Sequence, residues 1–274
     1  MLAYRSGLPE LRTGAWRPTR DALHAYAQVA GAIRAALAPP EKHWYHVSLR
    51  VAASGLTTTP LSSASGTFEI TLECSTSRWI VATSRGARWE TPLRGQSARA
   101  LLAETQALLK PLGVRARIDE KQFGRQALRG FDPQAAVRYW DALSWIDAQF
   151  KRVKAAERRE TSPVQVWPHH FDIALLVFSG RKIPGEDPND PELSDEQMNF
   201  GFAPGDEAIR EPYFYVTAYP EPANRRRPGL PRGARWHTRG WQGAVLPYDT
   251  LVAARHPDER LLDFLRAVRT WVDF

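Results

Sequence analysis

Cysteine occurs once in the chain, at Cys74, which excludes an intramolecular disulfide and any cysteine-rich zinc site. A compact fold of 274 residues buries roughly three quarters of the surface its unfolded chain exposes, so it needs no covalent staple. Long apolar runs are missing too. Ile173 to Phe178 is the longest, and six residues fall far short of the about 20 that cross a bilayer. Residues 1–7 lack the basic stretch and apolar core of a secretory signal. The expectation is a cytoplasmic protein with no membrane partner.

The familiar catalytic signatures are also lacking. There is no Gly-Lys-Ser/Thr phosphate loop, no G-x-G-x-x-G, no G-x-S-x-G elbow and no H-E-x-x-H. Ser179-Gly180-Arg181-Lys182 matches S-x-x-K, but it follows a strand-like run, and Ile183-Pro184 prevents the helix that would bring the lysine back to the serine. Asp187 to Glu196 is dense in carboxylates without the glycine and ligand spacing of a calcium loop; it reads as a solvated acidic loop.

Lysine is scarce. Arginines outnumber lysines 31 to 6, and the net charge of +7 is scattered along the chain. Only Arg225-Arg226-Arg227, continued by Arg232, Arg235 and Arg239, is dense, and it sits in a Pro/Gly-rich stretch that reads as a solvated or internally paired loop. Nucleic acid is therefore not the expected partner.

What is present is periodicity. Leu23, Tyr26, Ala27, Ala30, Ile33 and Leu37 recur at helical spacing after Pro18-Thr19, and Pro39-Pro40 ends that helix. Strand-like runs follow at 43–53, 67–74, 78–83 and 87–93; in the second, Phe68, Ile70 and Leu72 alternate with Glu69, Thr71 and Glu73. A helix is expected over 97–109 and a short strand over 114–118. Asp132-Pro133 is a helix start, with Ala136, Tyr139, Trp140, Leu143, Ile146, Phe150 and Val153 stepping at three and four behind it. Runs at 164–178, 198–202, 213–219 and 241–246 read as strands, and His256-Pro257 opens a closing helix.

The class is therefore α+β, in two similar halves at 1–130 and 131–274. Each half reads as helix, four mainly antiparallel strands, helix, packed together as one unit. Ser54-Gly55 and Ser179-Gly180 close the first long strand of each half, which suggests an internal duplication.

Chemistry is sparse but localised. On a strand over 164–178, His170 and Asp172 share a face about 7 Å apart, and an ionised carboxylate on a covered face needs hydrogen bonds or a cation. Tyr213 and Tyr215 share a face of a neighbouring run, and buried tyrosine hydroxyls need polar partners. The candidate site is thus His170 and Asp172, as general acid or base or ligand holders, walled by Trp167, Asn199, Tyr213 and Tyr215. No local metal-ligand set is read, since His169 and His170 are adjacent and His43 and His46 face opposite ways on a strand.

The segments Trp167-Pro168-His169-His170-Phe171-Asp172, Glu196 to Phe202, Pro212 to Tyr215 and Gly240-Trp241, with His43-Trp44-Tyr45-His46-Val47 and Gly55 to Thr58 upstream, resemble a bacterial family catalogued as domain of unknown function 5996. That resemblance spans nearly the whole chain and implies no activity, cofactor or catalytic residue. Three functions remain in play. The leading one is a small-molecule binding protein, or enzyme, with a pocket between the halves, suggested by the polar pair and by ten tryptophans and eight tyrosines. The alternatives are a metal-dependent hydrolase using His170 and Asp172, and a non-catalytic interaction module presenting the 225–239 loop.

Overall fold

The computed structural model describes residues 7–11, 13–222 and 226–272. The first six residues and Arg225, both used in the sequence reading, lie outside them. Among the described residues the chain is α+β with antiparallel sheets, and no helix is long and apolar enough to cross a membrane. It divides into two compact units. Gly14–Trp140 and Gln165–Phe171 form one; Asp141–Val164 and the residues from Asp172 on form the other, with the chain up to Thr13. The divisions fall after Trp140 and around 165–171, where the sequence reading placed one boundary at 130–131.

In the first unit, helix α1 (Thr13–Leu37) starts earlier than Pro18-Thr19 implied, and Pro18 lies inside it. The Thr19 hydroxyl instead accepts from the Asp132 amide at 2.8 Å. Asp132 in turn caps helix α3 (Pro133–Ala156), its carboxylate accepting from the Gln134 amide at 2.9 Å, as Asp-Pro at a helix start predicts. Leu23, Tyr26, Ala27, Ala30 and Ile33 on α1 are all fully buried.

The sheet of this unit comprises β1 (Arg50–Val51), β2 (Gly55–Thr57), β4 (Gly66–Glu73), β5 (Arg78–Thr83) and β6 (Arg88–Pro92) in the order β1-β2-β4-β5-β6, with β3 (Leu61–Ser63) paired to β4. On β4, Phe68, Ile70 and Leu72 are buried while Glu69, Thr71 and Glu73 are half-exposed, so the alternation decided its orientation. Helix α2 (Ala98–Leu109) is capped by the Ser97 hydroxyl, which accepts from Ala100 N.

Of the expected strands, the one over 43–53 is cut to β1 and the one over 114–118 does not form. Residues 43–53 begin as a 3-10 segment (Lys42–Val47) because His43 and Trp44 sit at φ 54° and 58°, outside the extended region. Residues 114–118 stay irregular; no neighbouring strand offers a ladder, and the Ala116 carbonyl accepts from the Gln106 side chain.

In the second unit, β8 (Asp172–Lys182), β9 (Asp195–Ala203), β10 (Tyr213–Tyr219), β12 (Gly243–Pro247) and β11 (Arg235–His237) pair in that order, all antiparallel. Register sorts their side chains. Ile173, Phe202, Phe214 and Leu246 form one cross-strand row, and Leu175, Phe200, Val216 and Ala244 the next, all buried on one face. Phe150 of α3 meets Phe214 edge-on at 6.3 Å, and Tyr248 of α4 (Tyr248–Val252) lies 5.6 Å from Phe202. Helix α5 (Pro257–Arg269) buries Leu261, Phe264, Leu265 and Val268. The charged stretch after Lys151 is largely exposed, with Lys154 donating to the Ser162 carbonyl and the Glu157 carboxylate meeting Arg269.

The two Ser-Gly pairs that suggested a duplication do different work, and the duplication is not shown. Gly55 lies inside the β2 ladder, where a Cβ would stand 2.0 Å from the Leu72 carbonyl oxygen. Gly180 sits in open space at φ +86°, within the register shift between Phe178 and Lys182. The obstacle at Gly55 is backbone and cannot swing away. Gly55→Ala is therefore expected to lower the urea midpoint sharply, while Gly229→Ala, with nothing within 4 Å, leaves it unchanged; equal midpoints for the two variants would contradict this packing.

Candidate functional site

The expected continuous strand over 164–178 is broken. Strand β7 (Gln165–Trp167) ends, the Phe171 amide bonds back to the Trp167 carbonyl at 2.7 Å, and Phe171 takes φ 59° before β8 begins at Asp172. Alternation does not run through such a turn, so it no longer pairs His170 with Asp172 on one face. His170 is exposed on the turn in the first unit, its ring 4.4 Å from that of His169, and Trp167 also belongs there, 5.9 Å from the His169 ring.

The other four candidates come together in the second unit, on the sheet face opposite its apolar rows. Asp172, at the head of β8, is 6 % exposed. The Tyr215 hydroxyl on β10 donates a short hydrogen bond to Asp172 Oδ2, reaching over the intervening strand β9. It can do so because the residue beneath it is Gly201, its register partner. A Cβ at Gly201 would stand 2.1 Å from the Tyr215 ring. Asn199, two residues along the same face of β9, donates from Nδ2 to the Tyr215 oxygen at 3.5 Å. Burial raises the Tyr215 hydroxyl well above its ordinary pKa, and the charge of Asp172 and the bond to it push the same way, so the tyrosine keeps its proton.

Tyr213 joins this face through its ring, 6.2 Å from that of Tyr215, while its hydroxyl donates to Asp206 Oδ2 at 2.5 Å. Asp206 also caps its own loop, accepting from the Ala208 and Ile209 amides. Burial, then the bond to Asp206, hold the Tyr213 hydroxyl far above the usual tyrosine range. Trp241 stacks on Tyr213 at 6.4 Å and meets Tyr215 edge-on at 6.3 Å; His237 lies 4.3 Å from Trp241. Sequence reasoning missed Trp241, His237 and Gly201 as members of this group. The signal available was Gly201 between Phe200 and Phe202, a small residue where a strand would otherwise carry a side chain.

The first unit has its own histidine group. His24 on α1 stacks on Phe171 at 5.4 Å, and its Nε2 lies 3.2 Å from the His169 carbonyl, a contact only N–H can satisfy. His169 borders a cavity of about 260 Å³ with Gln28, Gly31, Val47, Phe123 and Pro168. Pro168 closes onto α1 because Gly31 has no Cβ to meet it. Although His169 is an exposed residue, the partial desolvation of its ring, followed by the charges of His170 and His24, lowers it to about 4. Among the described residues no three or more His, Cys, Asp or Glu side chains gather as a metal site.

The acidic loop is engaged internally. Asp187 and Asp190 accept from amides within it, and Asp195 and Glu196 meet Lys182 and Arg181 across the hairpin. In the basic loop, Arg227 lies over the Trp236 ring at 5.4 Å and donates to Gln242.

A buried polar–aromatic patch on an antiparallel sheet defines the class of this site. The chain belongs to the family of unknown function DUF5996, which it matches over residues 8–270. No curated protein and no solved structure matches it.

The depressed imidazole has a consequence in acid. Unfolded, His169 binds its proton near 6.5; folded, only near 4. Between those values the unfolded chain holds more protons, so stability is fully present above about 6.5 and falls as pH drops through 4. Urea unfolding of the parent and His169→Gln from pH 7 to 4 checks this. The parent should lose stability more steeply, and parallel curves would refute the assignment.

Proposed function

We propose that this protein binds, or acts on, a small molecule at the Asp172–Asn199–Tyr215 group, with Tyr213 and Trp241 as its aromatic wall. The observation that carries the reading is the sign of the hydrogen-bonding capacity left over there. Tyr215 uses its only proton on Asp172, so its oxygen must accept from Asn199, which fixes the amide orientation. Asn199 Oδ1 is then buried with no donor among the described residues. Gln197 Oε1, two residues along the same face, is in the same state. An acceptor left that way costs about 1–3 kcal/mol. A ligand that brings N–H donors relieves it.

An ammonium group suits the patch best. It donates up to three hydrogen bonds, is attracted by the Asp172 carboxylate, and gains about 0.5–2 kcal/mol over an aromatic face such as that of Trp241 or Tyr213. If the occupant is a substrate, Asp172 is the group placed to accept a proton, and Tyr215 orients it. The hydrolase reading loses its paired geometry with the turn at His170, and the loop reading has Arg227 already held within the loop.

Thermal unfolding of the full chain against a panel of primary amines, neutral polyols and carboxylates tests this. A member of the amine series should raise the melting temperature saturably in the parent and fail to do so in Asp172→Asn. Stabilisation confined to carboxylates, or equal in parent and variant, would contradict it.

A further inference from the structure

A second polar group, in the first unit, has the opposite character. Leu49 and Val166 form an antiparallel bridge with both amides bonded, at 2.9 Å each. That pairing sets Arg50 opposite Gln165 on one side, with Ser48 on the same face as Arg50. Arg34 approaches from the last turn of α1. Arg34 is 6 % exposed, and Ser48 and Gln165 are fully buried.

Their hydrogen bonds interlock around Ser48. Arg34 Nη1 donates a short bond to the Ser48 carbonyl. Arg50 Nη1 donates to the Ser48 hydroxyl at 2.8 Å and to Gln165 Oε1 at 2.5 Å. The Ser48 hydroxyl lies 2.8 Å from both the Tyr45 carbonyl and Gln165 Oε1. Because Gln165 Oε1 faces a guanidinium, its amide cannot be turned the other way.

What remains unmet is all of one kind. Arg34 Nε and Gln165 Nε2 are buried donors without an acceptor among the described residues. Two guanidiniums stand beside neutral acceptors only. Glu41's charge reaches both, yet among the described residues it bonds to neither. Burial lowers the pKa of both arginines, and Arg34's charge adds to the fall at Arg50, which reaches about 10. Buried cations are ordinarily paired, and a guanidinium is shaped for two-point contact with an oxyanion.

We propose that the Arg34–Ser48–Arg50–Gln165 group is a binding site for a small oxyanion, a phosphate or carboxylate group whose oxygens supply the acceptors these donors lack. Arg50, half-exposed, is the arm by which the anion is reached from solvent, and Arg34 and Gln165 form the fixed floor.

The test is the melting temperature of the full chain titrated with inorganic phosphate or with acetate, at ionic strength held constant with chloride. One of the two should stabilise the parent saturably, and which one does so identifies the oxyanion. Arg50→Gln, which keeps a neutral donor at a half-exposed position, should weaken the apparent affinity at least tenfold. Line broadening of the inorganic phosphate resonance in phosphorus NMR, lost in the same variant, reads occupancy directly if phosphate is the anion. Identical behaviour in chloride, phosphate and acetate overturns the proposal, as does an Arg50→Gln response equal to the parent's.

Discussion

The hydrogen bond from Tyr215 across Gly201 to Asp172 is the constraint on which the second unit's polar face depends. A carboxylate that is 6 % exposed must be given donors, and a tyrosine two strands away can supply one only where the strand between carries no side chain. Gly201 meets that condition. Once the phenol lies flat over β9, its oxygen is spoken for on both sides, by Asp172 and by Asn199, and the orientation of Asn199 follows. The apolar rows on the opposite face hold the register that keeps all three in place, because a one-residue slip would turn Ile173, Phe202 and Phe214 outward.

Much of this was legible by period alone. Alternation placed Phe68, Ile70 and Leu72 inward on β4, and it put Tyr213 and Tyr215 on one side of β10. Helical stepping after Asp132-Pro133 located α3 and its cap. Period fails where the backbone leaves the regular regions without a glycine to announce it. His43, Trp44 and Phe171 all take positive φ, so the strand expected over 43–53 shrinks to Arg50–Val51 and the one expected over 164–178 is interrupted at 168–171, and the pairing of His170 with Asp172 went with that interruption. The short stretch at 114–118 has the alternation of a strand and no partner to ladder with.

The donor-rich group around Ser48 could not have been found by period. Arg34, Ser48, Arg50 and Gln165 come from a helix, an irregular link and two short strands, up to 131 residues apart. An excess of arginine in the composition hid it, since most of those arginines are ordinary surface charges. The two units thus carry polar groups of opposite demand. One has acceptors left over, at Asn199 and Gln197; the other has donors left over, at Arg34 and Gln165. Together they fit a protein that handles small polar molecules better than one that presents a loop.

A double-mutant cycle on Tyr215→Phe and Asp172→Asn, read by urea unfolding, tests the central claim most directly. A phenol bonded to a buried carboxylate should couple to it by about 1.5–3 kcal/mol, so the double variant loses much less than the sum of the singles. Additive losses, with a coupling near zero, would show that the two side chains do not depend on one another and that the face is held by other means.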